Sequence, residues 1–357
     1  MAPIDTGWFR RTLIEDLRRY HDSVITPSGF FRPLLDRRWR PVGKQSATLV
    51  SQCRWLFVLA TGCEMTGERR FCEAMRRGGD FLLRHFWDRE YGGWYRQVSP
   101  GGYVLNAAKD SYGHAFAVYG LAHAWRASGQ QRFRDAAFET RKVVRDRFVE
   151  SGGFLKPAMS RDFGEVTGVR SQNPIMHWFE ALLALHEAAG SPEARGDAEV
   201  LAGLVFAKLY RRDAGYLPEL FGAEWKPLAE PAGGRIELGH QFEWAYLLSE
   251  AVRLGFSERY LEIGRRLLDY GLKYGYDAEH GGFFSRTDYG GRVAEKTKGW
   301  WEQCEALRAI LRYAARHGRG DLWPVFHKSL AFVKAHFLDA EFGGWYGDYN
   351  GRPREGR

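Results

Sequence analysis

Apolar residues fall along this chain into two alternating kinds of segment. Residues 47–66 (ATLVSQCRWLFVLATGCEMT) are apolar on most sides, whereas residues 68–87 (ERRFCEAMRRGGDFLLRHFW) carry a one-sided stripe. The pair recurs at 109–127 and 130–148, 173–189 and 192–211, 237–254 and 257–274, and 297–317 and 320–337. A helical period sustained over segments of this length predicts α-helices. A helix apolar nearly all round belongs in the interior, and a one-sided helix belongs at the surface. Gly67, Gly129, Gly190, Gly255 and Gly318 separate the members of each pair, where a helix C-terminus favours glycine. One more outer-type segment, 7–22, opens the chain.

Between the pairs runs a repeated signature of acid, turn glycines and aromatic residues. It reads Asp88-Arg89-Glu90-Tyr91-Gly92-Gly93-Trp94-Tyr95, then Asp277-Ala278-Glu279-His280-Gly281-Gly282-Phe283-Phe284, then Asp339-Ala340-Glu341-Phe342-Gly343-Gly344-Trp345-Tyr346. Weaker copies fall at Ser28-Gly29-Phe30-Phe31, Gly152-Gly153-Phe154-Leu155 and Ala214-Gly215-Tyr216-Leu217. The last glycines, 29, 93, 153, 215, 282 and 344, are spaced by 64, 60, 62, 67 and 62 residues. Six copies at a near-constant period are the mark of a repeat architecture. Inner and outer helices alternating through six units predict an all-α fold, an (α/α)6 toroid of helical hairpins, with short β-hairpins at one rim. The expectation is a single domain over 1–357. The arithmetic yields eleven helices, so the last inner helix is expected to be absent: the polar tail Asn350–Arg357 stands where the partner of the first helix would follow.

Composition narrows the function classes. The chain is 45% hydrophobic and 27% charged, which fits a globular protein able to bury a core. Net charge is +8, but the excess sits in arginine pairs such as Arg10-Arg11, Arg18-Arg19 and Arg265-Arg266 on outer helix faces. No basic run is interleaved with aromatics, so no nucleic-acid partner is expected. No apolar stretch of membrane-spanning length and no leader-like opening run occur, so neither a membrane nor export is expected, and the expected location is the cytoplasm. Cys53, Cys63, Cys72 and Cys304 show no metal-ligand spacing and are expected to be reduced packing residues.

Polar residues interrupt the inner helices at similar depths. Arg54 lies 25 residues after Gly29, His114 lies 21 after Gly93, His177 lies 24 after Gly153, His240 lies 25 after Gly215, and Glu305 lies 23 after Gly282. In a toroid such positions converge on the axis, which predicts a pocket of histidine, arginine, carboxylates and aromatics. His177-Trp178-Phe179-Glu180 and His240-Gln241-Phe242-Glu243 repeat an HxxE pattern that puts each pair on one helix face. A carboxylate so placed fixes a histidine tautomer and prepares it for proton transfer. The alternative is a core histidine with a satisfied hydrogen bond. Di-iron helices use the reverse order, ExxH, and further glutamates, so no metal and no cofactor are expected. Arg54 is read as a buried arginine that needs a partner, either a salt bridge or a substrate oxygen. Trp300 and Trp301 suit a sugar-stacking platform or plain packing. Asn173-Pro174 reads as an N-cap followed by proline at the first helical position. The long segments 155–172 and 216–236 are candidate specificity loops.

These segments resemble the N-acylglucosamine 2-epimerase superfamily, which includes mannose isomerases, sulfoquinovose isomerases and cellobiose 2-epimerases. The resemblance rests on Ser51-Gln52-Cys53-Arg54, Lys109-Asp110-Ser111-Tyr112-Gly113-His114-Ala115-Phe116, Asn173-Pro174-Ile175-Met176-His177-Trp178-Phe179-Glu180-Ala181, Gly239-His240-Gln241-Phe242-Glu243-Trp244 and Lys298-Gly299-Trp300-Trp301-Glu302-Gln303-Cys304-Glu305. It implies histidine catalysis without a metal at the reducing end of a small sugar. The expected catalytic group is His177, His240 and Glu243, with Glu243 orienting His240. Expected substrate contacts are Arg54, Tyr112, His114, Asn173, Glu180, Trp300, Trp301 and Glu305. The resemblance also implies a further catalytic histidine on the last inner helix, which this sequence lacks. The form Asn-Pro-x-Met-His with Gly-His-x-Phe-Glu-Trp is closer to the aldose–ketose isomerases of the mannose/fructose type. The alternatives are a sugar 2-epimerase, a hydrolase or lyase on the same fold, or a catalytically impaired sugar-binding member. A monomer or a homodimer is expected.

Overall fold

A computed structural model describes residues 4–230, 233–293 and 296–350. Two compact units divide it, one over Ile4–Leu204 and one running on from Val205. The first holds α1 (Thr6–Val24), α2 (Leu49–Thr66), α3 (Arg69–His85), α4 (Ser111–Ser128), α5 (Gln131–Val143), α6 (Gln172–Ala189) and α7 (Pro192–Leu204). The second holds α8 (Leu238–Arg253), α9 (Arg259–Gly275), α10 (Trp300–Arg316) and α11 (Trp323–His336). Eleven α-helices among the described residues agree with the periodicity. Two outer helices end in a π turn, Val144–Phe148 and Val205–Leu209, at the same point of their repeats.

In the first unit α4 packs between α2 and α6, and α3, α5 and α7 cover them in turn. In the second, α8 packs against α9 and α10, and α10 against α11. Gly67, Gly129 and Gly190 cap α2, α4 and α6 in the left-handed conformation, which costs a residue without a Cβ least. Each described inner-helix start is anchored by a two-residue strand. Ala47–Thr48 pairs with Gln97–Val98, Lys109–Asp110 with Ala158–Met159, Ile236–Glu237 with Arg286–Thr287, and Lys298–Gly299 with Asp348–Tyr349. Short strands are therefore present as expected, but these pairs join distant segments rather than closing hairpins, and they hold the N-terminal ends of the inner helices.

Two devices tie the repeat signature to these helices. In two of the three strong copies the leading aspartate meets a lysine 21 residues on. Lys109 Nζ lies 2.9 Å from Asp88 with both side chains closed to solvent, and Lys298 Nζ lies 2.8 Å from Asp277. Burial lowers the Lys109 pKa to about 8 against the pull of Asp88. Burial would raise Asp277, yet Lys298 and two backbone N–H donors hold it at about 2. The second device is a polar clamp on the turn aromatic. Gln52 accepts from the Phe31 N–H at 3.0 Å, Gln241 from Leu217 at 2.9 Å and Gln303 from Phe283 at 2.8 Å. Gln241 and Gln303 also donate to the carbonyl four residues earlier, Glu237 and Gly299.

Cys63 and Cys72 are joined by a disulfide, with Cα atoms 4.9 Å apart. The expectation of four reduced cysteines is corrected. The tight turn at Gly67 folds α3 back beside α2, bringing together two residues whose spacing matches no short motif. Cys53 and Cys304 are free. No helix among the described residues is long and apolar enough to cross a membrane.

Candidate active site

In the first unit the inner helices gather Arg54, Tyr112, Phe116, His177 and Glu180. His177, on the second turn of α6, is 7% exposed, and its Nδ1 lies 2.9 Å from Glu180 Oε2 one turn along the same helix. With Nδ1–H donated to Glu180, Nε2 is left as the acceptor. Its ring packs against Phe116 and Tyr112 of α4 at centroid distances of 4.7 and 5.2 Å. Arg54, on α2, donates to the Tyr112 hydroxyl at 3.0 Å and lies 4.4 Å above the Phe116 ring. Arg54 is exposed rather than buried, and no carboxylate pairs with it among the described residues. The need for a buried salt bridge therefore does not arise, and the guanidinium is open to a ligand oxygen.

Asn173 is not the N-cap of α6. That position is taken by Ser171, whose hydroxyl accepts from the Asn173 N–H at 3.0 Å. The Asn173 side-chain oxygen is shut from solvent without a partner among the described residues, so it is open to a donor from a ligand.

His114 departs from the expected substrate contact. It is fully buried, its Nδ1 donates to the Asp110 carbonyl at 2.7 Å, and its Nε2 accepts from the Trp94 N–H at 3.0 Å. Both nitrogens are spent on backbone. Burial pushes its pKa down to about 3, so it stays neutral. His114 is the clamp of its repeat, the counterpart of Gln52, Gln241 and Gln303 rather than of His240. A one-residue shift in matching the helices turns a side chain by about 100° and exchanges interior for packing face.

The second unit builds its constellation on α8 and α10. His240, on the first turn of its inner helix, is 7% exposed. Its Nδ1 lies 2.7 Å from Glu219, which belongs to the segment before the helix. Glu243 does not orient it. The Glu243 carboxylate instead receives Arg308 of α10 at 3.4 Å, and Arg308 also pairs with Glu305. The HxxE geometry thus holds at His177 and fails at His240, where the Glu219 N–H donates to the Arg235 carbonyl at 3.1 Å and its carboxylate meets the imidazole. The Trp301 indole lies 5.1 Å from the His240 ring, and Trp300 is 42% exposed. Burial alone would lower the His240 pKa. The Glu219 carboxylate, by charge and hydrogen bond, with Glu243 and Glu237 behind it, pushes it up to about 9. At neutral pH His240 is an imidazolium whose Nε2–H can be donated.

A sequence profile of the family described as N-acylglucosamine 2-epimerase (GlcNAc 2-epimerase) matches residues 29–355. The chain belongs to this family. It is an enzyme of the sugar epimerase and isomerase type. Among relatives, the D-mannose isomerase of Marinomonas mediterranea is 25% identical over 341 residues, covering 92% of this chain and 85% of the relative. The cellobiose 2-epimerase of Dictyoglomus turgidum is 23% identical over 325 residues, covering 86% and 80%. The crystal structure of a D-mannose isomerase superposes with a TM-score of 0.90 at 22% identity, covering 98% of this chain and 92% of that one. The family membership agrees with the resemblance seen in the five inner-helix segments, and the superposition shows a shared helical fold.

Proposed function

We propose that the protein is an aldose–ketose isomerase of the mannose/fructose type, with one (α/α)6 toroid running through both units as a single domain and with histidine acid–base chemistry. The observation that carries the reading is the His240–Glu219 pair. Interconverting an aldose and a ketose needs a closed sugar ring opened by an acid, then a proton moved from C2 to C1. An imidazole held as imidazolium by a buried carboxylate supplies the acid first. Having protonated the ring oxygen, it is a neutral base beside C2 of the open chain.

The steps balance on His240 with His177 as the second base. His240 gives its Nε2 proton to the ring oxygen while the anomeric hydroxyl gives its own to His177 Nε2, leaving a C1 aldehyde. Neutral His240 takes the C2 proton, and the electron pair moves through C2–C1 to the carbonyl oxygen, giving a cis-enediolate. The O2 proton passes to O1, and His240 returns its proton to C1, giving the ketose. Arg54 offsets the enediolate charge, as an open guanidinium without a carboxylate partner is suited to do. His177, with its tautomer fixed by Glu180, accepts the hydroxyl proton in transit. Trp300 and Trp301 cover the sugar ring, and Tyr112, Asn173 and Glu305 hold its hydroxyls.

A sugar 2-epimerase is the second reading, favoured by the cellobiose 2-epimerase likeness. Incubation with D-mannose, D-fructose, N-acetylglucosamine and cellobiose, followed by product identification, separates the two. Interconversion of mannose and fructose supports the isomerase. An epimer of cellobiose or N-acetylglucosamine transfers the assignment, and no conversion of any of the four contradicts it.

A further inference from the structure

Glu302, the third residue of α10, is 4% exposed, and its Oε2 has no hydrogen-bond partner among the described residues. A carboxylate in that state is costly, because an unpaired charge removed from water must be neutralised or compensated. Its place is beside the histidine. Gly239, the residue before His240, has no Cβ, and an added one would lie 2.3 Å from the Trp301 ring and 3.0 Å from Glu302 Cγ. The Trp301 indole and the Glu302 stem therefore both cover the start of α8, and the same indole packs on His240.

The charged groups around this point come from every element that meets there. Glu219 of the preceding loop pairs with His240, and Glu237 pairs with Arg235 at 2.6 Å and faces Arg286 across the strand pair. Glu243 of α8 and Glu305 of α10 share Arg308. Lys298, just before α10, is committed to Asp277. Each of the other carboxylates in this group has a cationic partner, while Glu302 Oε2 has neither a cation nor a donor among the described residues.

We propose that Glu302 is a positioning residue for His240, a carboxyl that takes up or releases one proton and so sets how firmly the His240 imidazolium is held. The inference rests on His240 being the proton-transfer group of the proposed reaction. Burial raises the Glu302 pKa. Ser285, its own amide and the His240 charge work against that rise, and Glu237 adds to it. Protonated, Glu302 leaves His240 to the carboxylates already in place. Ionised, it adds a negative charge whose field reaches His240 and stabilises the imidazolium further. The two groups then titrate as a coupled pair, each proton lost reporting on the other.

The test follows the His240 ring nitrogens by NMR in 15N-histidine-labelled protein across pH 5–10, without sugar, alongside Glu302→Gln and Glu302→Asp. The expected result is a His240 midpoint lowered by about one pH unit in Glu302→Gln and largely restored in Glu302→Asp. In the unmutated protein a smaller early step should mark Glu302. A purely structural role would lower the melting temperature of Glu302→Gln and leave the His240 midpoint in place, which overturns the proposal. If Glu302→Gln does not fold, a single-step His240 titration in the unmutated protein overturns it equally. Because no substrate is present, the result does not depend on which sugar is used. Turnover of mannose by a protein whose titration is single-step would retain the isomerase and reject Glu302.

Discussion

His114 sits where glutamine sits in three other repeats, and its substitution separates packing from chemistry. The structure uses its ring as Gln303 uses its amide, accepting from the turn aromatic and donating to the carbonyl four residues back. His114→Gln should therefore fold normally and keep its activity. His114→Ala should lose about 1–3 kcal/mol by stranding the buried Trp94 N–H. The pH dependence of the two histidines runs in opposite directions. His114 has a folded pKa of about 3, below the 6.5 of a free histidine, so its stabilising contribution is complete above pH 6.5 and lost as pH falls toward 3. His240 has a folded pKa of about 9, so its contribution is complete below pH 6.5 and lost as pH rises through 9. Melting temperatures should accordingly fall on both sides of a maximum near pH 6.5. His114→Gln should flatten only the acid side and Glu219→Gln only the alkaline side. Retention of the acid slope in His114→Gln would contradict the clamp. The inner-helix histidines were legible from depth alone, but depth cannot distinguish adjacent residues of a helix. The glutamines at 52, 241 and 303 carry the register that assigns His114 to packing.

Helices were the most legible element, because a 3.6-residue period over about eighteen positions leaves little room for another structure. The aspartate of the repeat signature was legible as a turn residue, but its lysine was not, since only the strand pairing brings residues 21 apart together. Lys298→Met should strand Asp277 and cost about 3–5 kcal/mol in denaturant unfolding. A change within 0.5 kcal/mol would show the pair to be dispensable. Glu219 was invisible for a related reason. It lies on a loop with no period, and its role is fixed by the strand that follows it. The α2–α3 turn carries a chemical prediction. Alkylation of the denatured, unreduced chain should label Cys53 and Cys304 alone, and reduction should add Cys63 and Cys72. Four labels without reduction would contradict the bond.

For the whole molecule, the sixfold glycine–aromatic repeat and the family membership lead to the same enzyme class, and the ordering of acid and base around His240 is the mechanism proposed for it. The repeat could be read because units reuse one solution: a strand anchors the inner helix, a polar residue stands near the helix start, and in four of them a side-chain clamp fixes the turn. What the repeat could not supply is how individual carboxylates divide among Glu219, Glu243 and Arg308, since that depends on loop paths and side-chain reach. The most direct test of the account is proton NMR of the protein with D-mannose in D2O, beside His240→Ala. The account predicts fructose carrying deuterium at C1 from the unmutated protein, with the rate reduced at least about 100-fold in His240→Ala, the usual scale for loss of a general acid–base. Fructose formed equally fast by His240→Ala, or glucose deuterated at C2 appearing ahead of fructose, would contradict it.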